Sequence, residues 1–258
     1  MIAASFVRDY LIFRRYPAQM LRIVVDPLVW FAPIYFLGRA FHGGPFRDYT
    51  SFALLGVAVT SYIGTVLWGI GFSLKQDMDT GVLEANWLSP ASPTLQLLGR
   101  IVWSLVLGTV QSLVMLGAAG AVYGLHGDWR ALPAALGDLA PMLVALYGFG
   151  VGFAGLVLLV RQANSITDAG QFILSTLSGQ SFPVHDLPRW LAAVALALPT
   201  TYGLDALRTL VLGGSPLLPL GAEQRLLAIM AAALAAAGAA AFWAVERRVR
   251  RAGTLALH

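Results

Sequence analysis

The chain has 258 residues, 58% of them apolar and only 12% charged, with a mean hydropathy of +0.72. A soluble domain of this length carries about twice that charge fraction, so composition excludes an ordinary aqueous globule. It points to an all-α, polytopic integral membrane protein forming a single transmembrane domain over residues 1–258.

The net charge of +4 rests on sixteen arginines and one lysine. Many lie near the chain ends: Arg8, Arg14, Arg15 and Arg22, then Arg247, Arg248, Arg250 and Arg251. Arginines flanking apolar spans mark the cytoplasmic side, beside anionic lipid, and speak against nucleic-acid binding. There is no cysteine, which excludes disulfides, thiolate metal sites and cysteine nucleophiles. No cleavable signal peptide is expected: the first long apolar run holds Asp26 and Pro27, and no small-x-small cleavage site follows it.

Residues 1–22 form the first element. Ile2, Phe6, Tyr10, Phe13 and Met20 recur at about helical spacing, with Arg8, Asp9, Arg14 and Arg15 at other angles. That amphipathic pattern predicts a helix in the membrane interface, which Pro17 can interrupt. Six spans are expected next: Ile23–Phe41, Phe52–Leu74, Ile101–Tyr123, Leu139–Val160, Ile166–Phe182 and Leu226–Val245. The fifth is short and carries Asp168, Gln171 and Ser175. The sixth is built on Ala231–Ala241, whose small side chains allow a neighbouring helix to approach closely.

With both termini inside, the inner segments hold eleven cations and the outer ones six, as the positive-inside bias requires. Residues 75–100, charged and rich in turn formers, are then cytoplasmic. The outer stretch 183–223 contains Trp190–Leu198 and Tyr202–Leu212, apolar but too short to cross and broken by Pro199 and Gly213-Gly214. Short re-entrant or interfacial outer helices are expected there.

Several chemical readings fail on their residues. Gly150-Val-Gly-Phe-Ala-Gly155 has the spacing of a dinucleotide loop but sits inside an apolar span with no preceding strand. Together with Gly148 and Gly152 it reads as helix packing, as does the Gly120–Gly124 pair. A phosphate-binding loop needs Lys before Ser or Thr; the one lysine, Lys75, precedes Gln76, so ATP-driven work requires another subunit. His42, His126 and His185 fall in three separate loops without metal-site spacing, and Ser178 has no histidine in any span. No catalytic residue and no metal site are expected. Asp26 and Asp168 either line a polar pathway or sit near the headgroups beside Arg22 and Arg161.

Within residues 75–100, Asp77, Asp79 and Glu84 accompany Val82, Leu83, Trp87 and Leu88, an amphipathic patch suited to a partner protein. Gly81-Val-Leu-Glu84 followed by Leu88-Ser-Pro90 is similar to the G-T-L-E…P signature of the membrane permease of type-2 ATP-binding-cassette exporters, with Val82 where Thr is common. Ser178-Gly-Gln-Ser-Phe-Pro183, Leu187-Pro-Arg-Trp-Leu191, Leu198-Pro-Thr-Thr-Tyr202 and Asp205-Ala-Leu-Arg208 resemble the same family's second signature. In register with the topology, the likeness covers essentially the whole chain.

The resemblance implies a multi-pass permease of a bacterial or archaeal cytoplasmic membrane, with both termini cytoplasmic, that exports a polysaccharide, lipid, drug or peptide. It implies pairing with a second permease copy or paralogue and with two cytoplasmic ATPase subunits that hold the ATP and Mg. Asp77, Gly81, Val82, Leu83, Glu84, Trp87, Leu88 and Pro90 would form the ATPase-coupling segment, braced by the N-terminal helix. Phe182, Pro183, Trp190, Pro199, Tyr202 and Arg208 would belong to an outer exit region. Spans one, two and five would line the path, where Trp30, Phe31, Tyr35, Trp68 and Phe72 are either an aromatic track or an ordinary belt and core. A passive channel or scramblase, or an intramembrane lipid-modifying enzyme, is the alternative.

Overall fold

The computed structural model describes residues 2–15, 21, 25, 28–29, 31–36, 49–72, 77, 93–123, 127–159 and 163–252. Among them there is no strand. The helices are α1 (Ile2–Arg15), α2 (Tyr49–Val66, continued by a π-helical turn Leu67–Phe72) and α3 (Pro93–Val114, continued through a π turn Met115–Ala119 to Tyr123). Then come α4 (Leu132–Leu159), α5 (Ala163–Leu177), α6 (Arg189–Ala195), α7 (Pro199–Leu212) and α8 (Leu220–Ala252). Residues 31–36 are helical too, and most of the expected first span lies outside the described residues.

Among the described residues, four stretches are long and apolar enough to cross a membrane: Tyr49–Gly71, Gln96–Tyr123, Pro133–Val157 and Leu220–Arg248. These match the second, third, fourth and sixth expected spans. On α3, Val102, Val106, Val110 and Leu113 are all exposed, and their spacing places them along one side of the helix. In water such a stripe would be an aggregation surface; in lipid it is solvated.

The fifth expected span is shorter than the sequence suggests. The helix ends at Leu177, and at 1.5 Å per residue its 15 residues reach only about 22 Å. The expected span runs on through Ser178-Gly-Gln-Ser-Phe182, but Gly179 turns the backbone into the left-handed region (φ 80°) and residues 178–182 form a turn. The two short apolar segments after it are helical, α6 and α7, bent by 87° at their junction. Pro199 does not merely interrupt there. It opens α7, where its fixed φ suits the first helical position and its missing N–H costs nothing. Gly213, at φ 74°, closes α7 by returning its N–H to the Thr209 carbonyl at 3.1 Å.

Two kinds of contact hold the bundle. Helices α4 and α8 meet backbone to backbone: a Cβ built on Gly238 would overlap the Gly148 carbonyl oxygen, and one on Gly148 would press into the backbone of Ala235. Gly152 faces Gly238 in the same contact. Only small residues allow this approach, and it replaces the hydrophobic drive that lipid removes.

Helices α2 and α3 instead share a hydroxyl seam. Ser61 and Ser112 bond at 2.9 Å, the Tyr62 hydroxyl meets Thr109 at 3.1 Å, and Ser104 donates to the Thr65 carbonyl at 2.8 Å. Apolar clusters fill the remainder, one around Ile63, Leu67, Ile70 and Val157, another around Leu55, Met142, Leu204 and Leu227.

Candidate functional site

Trp68 lies in the π-helical turn that ends α2, a wide turn that recurs at functional sites because it re-aims the residues it carries. Its indole Nε1 donates to Gln171 Oε1 on α5 at 2.9 Å. Gly64, one turn back on α2, leaves room for the Gln171 amide: a Cβ there would sit 3.0 Å from its nitrogen.

Gln171 belongs to a line. Asn164, Asp168, Gln171 and Ser175 recur at helical spacing down one side of α5, with Asn164 and Asp168 exposed and Gln171 and Ser175 half-buried. Asp168 has no ion-pair partner among the described residues. Phe172, 73% exposed, flanks the line. The result is a strip of hydrogen-bonding groups beside aromatic surface on α5.

The expected aromatic track is only partly assembled. Phe31 is buried and meets Tyr35 and Tyr123 with ring centroids 6.3 and 5.3 Å away, while Tyr35 and Tyr123 lie 4.5 Å apart. These rings form their own cluster with α2 and α3 residues such as Leu54 and Met115. Trp30 and the Phe72 side chain lie outside the described residues.

At the other end of α2, Arg208 of α7 is the centre of a clamp. Its Nε and Nη2 donate to the Phe52 carbonyl at 3.2 and 2.9 Å, Nη1 to Gly179 at 2.7 Å and Nη2 also to Gln180 at 2.8 Å. The guanidinium lies 3.4 Å from the centroid of the Phe52 ring. Gly56 is required beneath it, because a Cβ would strike the Gln180 carbonyl and the guanidinium. Tyr49 reinforces the clamp by donating to the Ser181 carbonyl at 3.1 Å.

Ser178 bonds to Thr200 and to the Leu174 carbonyl, tying the end of α5 to the start of α7. Thr201 and Tyr202 donate to the Ala195 and Leu196 carbonyls at 2.6 and 2.8 Å and so fix the α6–α7 bend. Among the sequence candidates here, Pro199 and Tyr202 are buried, Phe182 and Pro183 half-buried, and Trp190 is 70% exposed.

Beside the remaining segment, Asp77 is ion-paired with Arg100 at the base of α3. Three residues further on, Trp103 is enclosed edge-on by Phe6, Tyr10 and Phe13 of α1, at centroid distances of 5.3, 6.1 and 5.6 Å. The apolar face read from the sequence of α1 is thus a packing face, while Val7 and Leu11 on another side of the helix stay exposed. Gly81, Val82, Leu83, Glu84, Trp87, Leu88 and Pro90 lie outside the described residues.

The family described as ABC-2 type transporter matches residues 2–212, from α1 through α7. The chain belongs to that family. Among characterised relatives, this ABC-2 permease is similar to the daunorubicin resistance ABC transporter permease protein DrrB1 of Streptomyces coeruleorubidus. The two are 28% identical over 216 residues, which span 80% of this chain and 73% of the relative. As an ABC-2 permease subunit the chain is not itself an enzyme, and ATP hydrolysis belongs to its ABC ATPase partners. Sequence reasoning noted Trp68 and Gln171 separately; their bond was missed, although Asn164, Asp168, Gln171 and Ser175 share one helical face in the sequence itself.

Proposed function

We propose that this permease is the membrane subunit of an exporter for flat, largely apolar organic molecules. It works as a pair of permeases driven by two cytoplasmic ATPases that hold ATP and Mg. The observation that carries this reading is the strip on α5 bonded to Trp68: an amphipathic aromatic substrate needs ring surface and hydrogen-bonding groups side by side within an apolar span. A relative named for daunorubicin resistance favours a drug-like substrate over a sugar or peptide.

In this reading the chain crosses a bacterial or archaeal cytoplasmic membrane six times with both termini inside, α5 and its terminal turn making the fifth crossing. Residues 75–100 dock in the ATPase, with Glu84 as the polar contact. The Asp77–Arg100 pair and the Trp103 enclosure join that segment to α3 and α1, which supports a role in passing ATPase closure to the spans. Coupling of this kind requires that the docked contact differ between the two states. Helices α6 and α7 shape the outer exit.

The cysteine-free sequence allows a direct test. Single cysteines at Asp168 and Ser175 should react with a water-soluble maleimide in membranes and be protected by substrate, whereas one at Val106 should not react. Gln171→Leu should lower ATP-dependent efflux of a planar aromatic dye about threefold, matching the ~0.6 kcal/mol average of an intramembrane side-chain hydrogen bond. Unreactive cysteines at both strip positions, together with unchanged efflux by Gln171→Leu, would sink the proposed path.

A further inference from the structure

The last helix, α8, carries an acid in its first turn, Glu223, whose side chain is fully buried. Its Oε1 accepts the Leu218 backbone N–H at 3.3 Å, the backward reach by which an acid near a helix start satisfies an amide ahead of it. Its Oε2 is buried and has no hydrogen-bond partner among the described residues. Asp205 of α7 accepts the adjacent Leu217 N–H through Oδ2 at 2.7 Å, which brings its carboxylate beside that of Glu223. Two carboxylates therefore meet under the loop of residues 213–219, each holding one of its amides.

Among the described residues, no basic side chain pairs with either acid. Arg208 is near enough for Asp205 to feel its charge, but its guanidinium is directed at the Phe52, Gly179 and Gln180 carbonyls. Arg225 Nε donates to the Gly221 carbonyl at 3.0 Å, and the neighbouring Asp138 is occupied by Gln224 at 2.7 Å. Glu223 is buried and Asp205 half-buried, and two carboxylates side by side repel unless a positive charge, a cation or a shared proton, lies between them. A capping role explains Glu223 Oε1 but leaves the buried Oε2 unaccounted for.

We propose that Asp205 and Glu223 form a site for a hard divalent cation, calcium or magnesium, at the junction of α7 and α8. Both ions take carboxylate oxygens, and magnesium in particular is commonly held by one or two carboxylates with water filling the remaining positions. The ion neutralises the pair, occupies the orphaned oxygen and locks the 213–219 loop, so it sets how α7 is carried on the end of α8. It acts on the framework and is independent of which substrate is moved.

The test uses the full chain in phosphatidylcholine nanodiscs, stripped with EDTA. Terbium luminescence excited through tyrosine reads binding, since Tyr202 is close enough to feel the Glu223 charge. Calcium and magnesium, titrated separately, should displace terbium and raise the thermal midpoint, with half-saturation near ~10⁻⁴–10⁻³ M, the range of extracellular calcium modules. The tighter of the two names the ion. Glu223→Gln and Asp205→Asn should each abolish both responses, and Glu223→Gln in EDTA should be at least as stable as the parent, because its amide can donate to Asp205. Asp138→Asn should respond like the parent. An insensitive parent, or a response surviving in both variants, overturns the site. A midpoint that follows pH, ignores both ions and is flattened by Glu223→Gln assigns the charge to a proton and overturns it equally.

Discussion

Replacing Arg208 by leucine removes four attachments at once: hydrogen bonds to the Phe52, Gly179 and Gln180 carbonyls and the stacked contact on the Phe52 ring. Each carbonyl left without a donor costs about 1–3 kcal/mol when buried, and a partly desolvated cation–π contact about 1–2 kcal/mol. These terms are not additive, and carbonyls at the end of a span can recruit water, so a net loss of about 3–5 kcal/mol is expected. For a chain of this length that corresponds to a fall of about 10 °C in the midpoint. Fluorescence-detected size exclusion after heating in mild detergent measures it. Arg208→Lys keeps the charge but offers a point donor without a planar fork, and should recover roughly half of the loss. A leucine variant within 2 °C of the parent, or a lysine variant equal to it, would refute the clamp.

Gly238→Ala should be far more damaging than its size suggests, abolishing the monodisperse peak, because the new methyl overlaps the Gly148 carbonyl oxygen. Gly137→Ala, on the same α4 but facing open space, should instead be neutral or stabilise by up to ~1 kcal/mol through helix propensity. Trp103→Ala removes three edge-on ring contacts, each worth about 0.5–1.5 kcal/mol beyond burial, and should free α1. Trypsin should then cut after Arg14 and Arg15 several-fold faster while the bundle still elutes as one species; unchanged cleavage would show that α1 is held elsewhere.

The four long spans were legible because an uninterrupted apolar run has one low-energy solution in lipid, a helix that satisfies its own backbone. The length of α5 was misjudged: Ser178-Gly-Gln-Ser181 carries no charge and so reads as part of the span, whereas the left-handed backbone at Gly179 stops the helix there. Pro199 was visible as a breaker but not as a helix opener, a distinction that depends on whether the preceding chain is already turning. The clamp was hidden by distance: Arg208 and Phe52 stand 156 positions apart. Likewise, Trp103 in its apolar run looks like any lipid-facing aromatic until Phe6, Tyr10 and Phe13 are brought around it. The stretch with the plainest sequence signature, Gly81–Pro90, falls outside the described residues, so its coupling role rests on likeness and on its neighbours.

The two contact types in the bundle differ in what meets at the seam. Where α4 meets α8, peptide groups touch and there is no spare volume, so the pair can tilt or translate only as one piece. Where α2 meets α3, hydroxyls bond across the seam, and the contact is close as well: Gly108 seats Tyr62 and Thr65, and Gly69 seats Ser104. The α4–α8 pair is therefore the keel of the molecule, and α2 is seated on it where Val66 meets Gly150.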